Sequence, residues 1–238
     1  MIHTIHLETI DSTQAYAKRN SSSFPPNQIT CITAEEQTAG RGRFQRTWQS
    51  PKGVNIYATF YFQLPSKTPH LTSLAQVMAF SFATVLRHEG LQPKIKWPND
   101  VQLSGKKISG VLCETAFQGQ SVEIFLGIGI NVNMETTAEI DQPATSLKIE
   151  TGRIWDKKVV LHLLQKQFVS DLEKFKQEGF KPFHHAFESL LAYKGEKISC
   201  FDGKQTWTGI CHSLNPEGQL NLLMPDQSIH TVLSGDIL

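Results

Sequence analysis

The stretch KIKWPNDVQLSGKKISGVLCE, residues 94–114, joins strand-forming runs through a tight turn. Pro98 favours an extended conformation for Trp97. Asn99 and Asp100 therefore fall at the turn into the next strand. Their side chains either serve a bound group or only satisfy the local backbone, and the stretch alone leaves both readings open.

Strand signals continue on the C-terminal side of this turn. Three strand-like runs are predicted in this part of the chain, over 93–97, 107–117 and 121–131. Gln118-Gly119-Gln120 predicts a hairpin between the last two. In the third run, Gly127 and Gly129 alternate, which weakens a strand unless another group must approach its backbone closely. The alternative is a β-bulge.

Upstream, the stretch TAGRGRFQRTW, residues 38–48, is rich in arginine and glycine. Arg41, Arg43 and Arg46 offer planar forks that bind phosphate or carboxylate through paired hydrogen bonds. Glycines beside them let the backbone N–H groups approach the same anion. A Rossmann fingerprint would need a glycine where Gln45 stands, and no Walker A motif occurs. The loop is therefore either an anion-binding loop of another type or a solvated basic turn that touches RNA.

The remaining pattern predicts an α+β protein. Strands are predicted over 2–8, 28–36 and 54–63, the last half-buried, and helices over 11–20, 71–89, 156–178 and 181–192. After Tyr193, short β-runs are broken by turn residues with no helical period, which predicts a small β-barrel appended to the α+β body.

Composition excludes several classes of protein. The 238 residues carry a formal charge of only +1, which argues against a chain that coats nucleic acid or membrane. The four cysteines show no C-x-x-C spacing, and the nine histidines show no metal-binding spacing. With neither a signal peptide nor a membrane-spanning run, the expected location is the cytoplasm.

Taken together and in chain order, these segments resemble the biotin protein ligases. The matching stretches are DSTQ (11–14), EEQTAGRGRFQRTW (35–48), GVNIY (53–57), KWPND (96–100), GKKISGVLCE (105–114) and GIGINVN (127–133), with GDIL at the end. The resemblance implies a class II synthetase-like catalytic domain with a mixed sheet and flanking helices over residues 1–192. It also implies a small SH3-like β-barrel over residues 193–238.

The resemblance implies a ligase that joins biotin to ATP, forming biotinyl-5'-adenylate, and passes the acyl group to a lysine. The expected partner is the biotin carboxyl carrier domain of acetyl-CoA carboxylase or a similar enzyme. ATP with Mg²⁺ and biotin are consumed as substrates, with no permanently bound cofactor. Because the chain starts at the catalytic domain, it resembles the short form without a DNA-binding domain. We expect neither DNA nor membrane binding, and a homodimer is possible.

Site roles carry over by position. The residues implied to bind biotin are Ser12, Thr13, Gln14, Gln37, Arg41, Gly42, Arg43, Trp48, Lys107 and Gly110. Those implied at the nucleotide are Arg41, Arg43, Asn99 and Asn131. Lys107, Arg43 and Asp100 are the implied catalytic residues, and Asp100 is also the implied Mg²⁺ ligand. The chain departs from the family at Gln45, where a further glycine is usual, and in its shorter C-terminal tail.

Two competing functions remain open at this point. Lipoate protein ligases share the implied fold and chemistry, although the arginine-glycine loop together with KWPND favours biotin. A non-enzymatic RNA-binding module would use the basic loop and the terminal barrel. The balanced charge argues against it, because nucleic-acid-binding surfaces are usually basic.

Overall fold

The computed structural model describes residues 2–238, with Gln45 described by its backbone alone. The helices and strands, in chain order, are β1 (Ile2–Ile10), α1 (Thr13–Asn20), β2 (Ile29–Gln37), β3 (Ile56–Pro65), α2 (Leu74–His88), β4 (Lys94–Lys96), β5 (Asp100–Leu103), β6 (Lys106–Gln118), β7 (Ser121–Ile130), α3 (Leu147–Thr151), α4 (Lys157–Glu178), α5 (His184–Ser189), β8 (Lys197–Phe201), β9 (Thr206–Leu214), β10 (Leu220–Leu223), β11 (Ile229–Val232) and β12 (Asp236–Ile237). The chain divides into two compact units.

The first unit comprises residues up to 69 and residues 106–163. Its sheet has the strand order β1-β2-β3-β7-β6. β1 and β2 run parallel, whereas the other neighbours are antiparallel. Parallel neighbours need a crossover connection, and α1 supplies it. The sheet is therefore mixed, as expected.

Helix α1 covers one face of this sheet. Its N-cap is Ser12, whose hydroxyl accepts a hydrogen bond from the Ala15 N–H at 3.5 Å. Below the helix, Ala17, Ile32 and Phe125 belong to a buried cluster that also contains Phe24 and Tyr61. Burying this apolar surface fixes α1 on the sheet. The helix N-terminus is thereby held close to the ends of the neighbouring strands.

Strand β3 corrects one expectation. Its alternation of Ile56, Ala58, Phe60 and Phe62 with more polar residues predicts a half-buried strand, but Tyr57, Thr59 and Tyr61 are also buried. The reason is that α1 packs on the face that carries them, because Thr59 contacts Thr13 and Tyr61 shares a buried cluster with Ala17. Both of its faces are therefore covered.

Strand β7 settles the question of the alternating glycines. Its pairing with β3 runs without a break from Ile56 opposite Ile130 to Pro65 opposite Ser121. Its pairing with β6 is equally regular and includes the predicted hairpin turn, with Gln118 opposite Ser121. The bulge reading is therefore wrong, and the hairpin is confirmed.

The second unit comprises residues 70–105 and 164–238. Within it, Ser81 of α2 donates a hydrogen bond to the buried carboxylate of Asp171 on α4, at 2.9 Å. The Trp97 indole N–H and the Gln76 amide both donate to the Gly218 carbonyl, at 2.9 and 2.7 Å. These bonds tie α2 and the Trp97 turn to the β9–β10 turn.

The C-terminal strands form an antiparallel sheet of their own, in the order β11-β10-β9-β8-β12. The rings of Trp207 on β9 and His230 on β11 stack with centroids 3.7 Å apart, although β10 lies between the two strands. Such a contact requires a strongly curved sheet. The predicted α+β class, with a mixed sheet and a small separate β-structure, is confirmed. The domain boundary between residues 192 and 193 stays a prediction.

No helix among residues 2–238 has both the length and the apolar character needed to span a membrane.

Candidate functional site

A hydrogen-bonded group of polar side chains surrounds the N-terminus of α1. The Gln37 carbonyl oxygen, Oε1, accepts from both the N–H and the hydroxyl of Thr13, at 2.9 and 3.2 Å. On its other side, Gln37 Nε2 donates to the Ser50 hydroxyl at 3.0 Å, and Ser50 donates to the Trp48 carbonyl at 3.0 Å. The amide of Gln37 thus connects the helix start to the end of the arginine-glycine loop.

Thr59 extends this group into the centre of the sheet. Its fully buried hydroxyl lies 2.9 Å from Thr13 Oγ1 and 3.2 Å from Gln14 Oε1. Because the Thr13 hydroxyl gives its own proton to Gln37, Thr59 is the donor to Thr13. The single Thr59 proton is shared between Thr13 Oγ1, at the shorter distance, and Gln14 Oε1.

The side-chain amide of Gln14 is fixed in orientation. Its Nε2 donates to the Glu114 carboxylate at 3.0 Å and to the Phe125 carbonyl at 2.8 Å. Its Oε1 therefore faces Thr59 and the backbone of Gly127, where an added Cβ would lie only 2.6 Å from that oxygen. The absence of a side chain at Gly127 makes this approach possible.

These bonds leave one donor, on Gln37, and one acceptor, on Gln14, in the same hydrogen-bonded group at the N-terminus of α1. Gln37 Nε2 has two protons, and the second has no acceptor among residues 2–238. Gln14 presents its carbonyl oxygen, with the lone pairs that Thr59 does not use. A ligand group with a carbonyl next to an N–H matches this arrangement.

The arginine-glycine loop closes on itself as a short hairpin. The Gly42 N–H donates to the Arg46 carbonyl at 2.8 Å, and the Trp48 N–H donates to the Gly40 carbonyl at 3.0 Å. Arg41 pairs with Thr47 through an isolated β-bridge, and Arg41 is exposed.

The tip of this hairpin is a short 3-10 turn over Arg43–Gln45. Phe44 adopts a left-handed conformation there, with φ of 52°, which is uncommon for a bulky residue. The Arg43 guanidinium lies 5.0 Å from the Phe44 ring centroid.

The indole of Trp48 lies against the sheet. Any Cβ at Gly129 would collide with the indole atoms Cε2 and Nε1, so the second alternating glycine also serves a close approach. Gly110 stands directly opposite Gly129 on β6. The buried Trp48 indole N–H has no hydrogen-bond partner among the described residues. The Nζ of Lys107 lies 5.4 Å from the indole ring.

Lys107 is anchored through its backbone. Its N–H donates to the Pro143 carbonyl and its carbonyl accepts from the Thr145 N–H, both at 2.9 Å. The buried Asn131 amide in turn donates to the Thr145 carbonyl at 3.0 Å and accepts from Asn55 at 3.5 Å. Asn131 therefore supports the segment that flanks Lys107, and its implied contact with a nucleotide stays a prediction.

Ser12 is buried at the helix start, beside Asp11. Two hydrogen bonds from the Arg19 guanidinium, at 2.6 and 2.9 Å, lower the pKa of the Asp11 carboxyl to about 2. The Ser12 N–H donates to the same carboxylate at 2.8 Å. Asp11 therefore stays ionised at neutral pH and holds the backbone at Ser12.

Asn99 and Asp100 belong to the second unit, whereas the group described above comes from the first. Asn99 is buried in the turn between β4 and β5, and Asp100 begins β5 opposite Lys96. Across residues 2–238, no three His, Cys, Asp or Glu side chains form a metal-binding group.

Three further residues of the site were assigned no role from the sequence, although Glu114 ends the matching stretch 105–114. Thr59, Ser50 and Glu114 contact Thr13, Gln37 and Gln14 respectively. Thr59 and Glu114 are 46 and 100 residues away from their partners in sequence.

Comparison with known proteins gives a consistent result. Residues 6–131 match the biotin/lipoate A/B protein ligase family. The bifunctional ligase/repressor BirA of Bacillus spizizenii is 33% identical over 242 residues, covering 99% of this chain and 73% of the relative. The biotin–[acetyl-CoA-carboxylase] ligase of Paracoccus denitrificans is 30% identical over 227 residues, covering 92% of this chain and 93% of the relative.

A solved structure is similar over nearly the whole chain. It is a biotin protein ligase from Aquifex aeolicus in complex with biotin and ATP. The two proteins share 35% sequence identity with a TM-score of 0.84, and the match covers 99% of this chain and 97% of the other.

Proposed function

Because the chain belongs to the biotin/lipoate A/B protein ligase family, we propose that it activates biotin with ATP and transfers it to a protein lysine. The first step forms biotinyl-5'-adenylate and releases pyrophosphate. The second forms an amide with the lysine and releases AMP.

The observation that carries the choice of biotin is the pair of oriented amides at the N-terminus of α1, Gln37 with a donor to spare and Gln14 with an acceptor. The ureido ring of biotin has a carbonyl flanked by N–H groups. The free proton of Gln37 Nε2 matches the ureido carbonyl, and Gln14 Oε1 matches an N–H. The dithiolane ring of lipoate has neither group, so it would leave both amides unsatisfied. The buried Ser12 and Thr13 complete this end of the pocket.

Activation brings two anions together, because the biotin carboxylate must attack the α-phosphate. Lys107 is the cation we assign to the place where negative charge builds, beside the indole of Trp48. Arg41, Gly42 and Arg43 provide guanidinium and backbone N–H donors on a loop that can cover the adenylate. Gly110 leaves the sheet surface open to the ligand.

The nucleotide end of the site rests on the family resemblance. Mg²⁺ accompanies ATP and offsets charge on the departing pyrophosphate, with Asp100 as its proposed protein ligand. Asn99 and Asn131 are proposed at the nucleotide. In the second step the lysine amine attacks the biotinyl carbonyl and loses a proton, for which Asp100 is the proposed acceptor.

The proposed partner is a biotin carboxyl carrier domain, that of acetyl-CoA carboxylase or a similar enzyme. The Paracoccus denitrificans relative, named for acetyl-CoA carboxylase, supports this assignment. A homodimer, the lack of DNA binding and a cytoplasmic location stay predictions.

The test is pyrophosphate release from ATP and Mg²⁺, with biotin, lipoate or octanoate offered separately. We expect release with biotin alone. Release with lipoate or octanoate would instead indicate a lipoate or octanoate protein ligase, and it would contradict the roles given to Gln14 and Gln37. No release with any of the three would reject adenylation.

Loss of the Arg43 side chain should let biotinyl-adenylate escape from the site. Arg43→Ala removes one charged donor from the loop, and a charged hydrogen bond contributes about 1.5–3 kcal/mol. We expect free biotinyl-adenylate to escape at least about tenfold faster, since about 1.4 kcal/mol corresponds to a factor of ten. Escape is measured by chromatography of the filtrate without carrier protein. Arg87→Ala, an exposed arginine on α2, is the control, and equal escape from both variants would contradict a containing role.

A further inference from the structure

We propose that Glu114 is a specificity-determining positioning residue, which fixes the Gln14 amide so that the pocket accepts only a head group with an N–H. This inference rests on the proposed function. It assigns a task to a carboxylate that does not itself face the reacting atoms.

The geometry leaves the Gln14 amide one orientation. Its two N–H bonds go to Glu114 Oε2 at 3.0 Å and to the Phe125 carbonyl at 2.8 Å. Rotating the amide by half a turn would place its oxygen against a carboxylate and a carbonyl at the same time. Two acceptors facing a third form no hydrogen bond, so the flipped amide is strongly disfavoured.

Glu114 is itself held in place by α1. The Nζ of Lys18 lies 2.6 Å from Glu114 Oε1, while Gln14 uses the other carboxylate oxygen. Lys18 and Gln14 are four residues apart on one helix, so they share a face. The carboxylate thus bridges two side chains of α1, and its charge strengthens the bond from the Gln14 amide.

The consequence concerns the ligand side of the amide. With Nε2 committed to Glu114 and Phe125, only Oε1 is presented beside Thr59 and Gly127. This oxygen can accept a hydrogen bond and cannot donate one. A ligand with an N–H at this point is bound, whereas one with an acceptor or a sulfur atom is not.

The test uses the two oxazolidinone analogues of biotin, in each of which ring oxygen replaces one ureido N–H. For the wild-type protein, kcat/KM for pyrophosphate release should be about 10²-fold or more lower with one of the analogues than with biotin. This is the effect expected when a site built for a hydrogen bond loses its partner. In Glu114→Leu, kcat/KM for biotin should fall about tenfold through KM, while the value for that analogue changes little. Discrimination between the two therefore shrinks about tenfold.

Two further variants separate positioning from general damage. Glu114→Gln restores an acceptor and should return the discrimination to within about threefold of wild type. Gln118→Leu breaks a Gln–Glu hydrogen bond of the same kind, 2.8 Å to Glu123, at the turn end of the same β6–β7 hairpin, and should leave the discrimination unchanged.

The outcomes distinguish this inference from the proposed function. If the wild-type protein turns over biotin but Glu114→Leu discriminates as well as wild type, the role of Glu114 is rejected. Equal losses for biotin and both analogues would also reject it, because a merely structural defect lowers all substrates together. A wild-type protein that releases no pyrophosphate with biotin would reject the proposed function itself.

Discussion

Replacing Lys107 by alanine is expected to slow biotinyl-adenylate formation by about 10²-fold or more, the effect of losing one preorganised donor at a developing charge. The rate is that of a single turnover, with enzyme in excess over ATP and biotin saturating. The loss should fall on the chemical step rather than on biotin binding, because Gln14 and Gln37 are the residues we propose to hold the ureido end.

The structure gives this prediction a matched control. Lys106 precedes Lys107 at the start of β6 and is exposed, whereas Lys107 is partly buried beside the indole of Trp48. Lys106→Ala removes the same charge from the protein as a whole. We expect it to keep at least about half of the wild-type rate, since an exposed lysine contributes little to a site that it does not face. Equal losses of rate in both variants would show that only the net charge of the protein matters. A near-normal rate in Lys107→Ala would contradict its catalytic assignment.

Gly129→Ala is expected to lower kcat/KM for biotin on the order of 10²-fold, the upper end of what overpacking costs, by displacing Trp48. The added methyl group would collide with the indole, and β7 is paired on both sides, so the strand cannot retreat. The Trp48 indole then moves away from the surface of the sheet, and the end of the arginine-glycine loop moves with it. The displacement itself can be followed by tryptophan fluorescence.

A double-mutant cycle checks the cause of that loss. In a Trp48→Ala background no indole remains to collide, so adding Gly129→Ala should cost little more. The two single variants should each be impaired and the double variant no worse than Trp48→Ala alone. Fully additive losses would show that Gly129 acts through something other than Trp48.

Local sequence patterns predicted most of the fold. Helix α1, Thr13–Asn20, falls within the helix predicted over 11–20, and the turn at Gly119 joins β6 to β7 as the triplet Gln118-Gly119-Gln120 predicts. Strand β5 and helix α3 were missed because they contain only four and five residues, too short to show a period. The burial of both faces of β3 was missed because it depends on the packing of α1 over the second face, a tertiary contact.

The candidate site was predictable only in part. Gln14, Gln37 and Lys107 lie in matching stretches and were assigned roles, but neither Thr59, which lies outside these stretches, nor Glu114, which ends one of them, was assigned a role. Their hydrogen bonds join residues 46 and 100 positions apart, which no local pattern can register. Gly127 and Gly129 gave a signal of close approach, yet the approaching groups, Gln14 and Trp48, appear only in three dimensions.

The row of hydrogen bonds from Thr59 through Thr13 and Gln37 to Ser50 has a consequence for redesign of the pocket. Each member donates to the next, so the energies of the four positions are coupled rather than independent. A variant that reverses the polarity at one position leaves two neighbours facing like groups. The four side chains must therefore be substituted together to change which head group the pocket prefers.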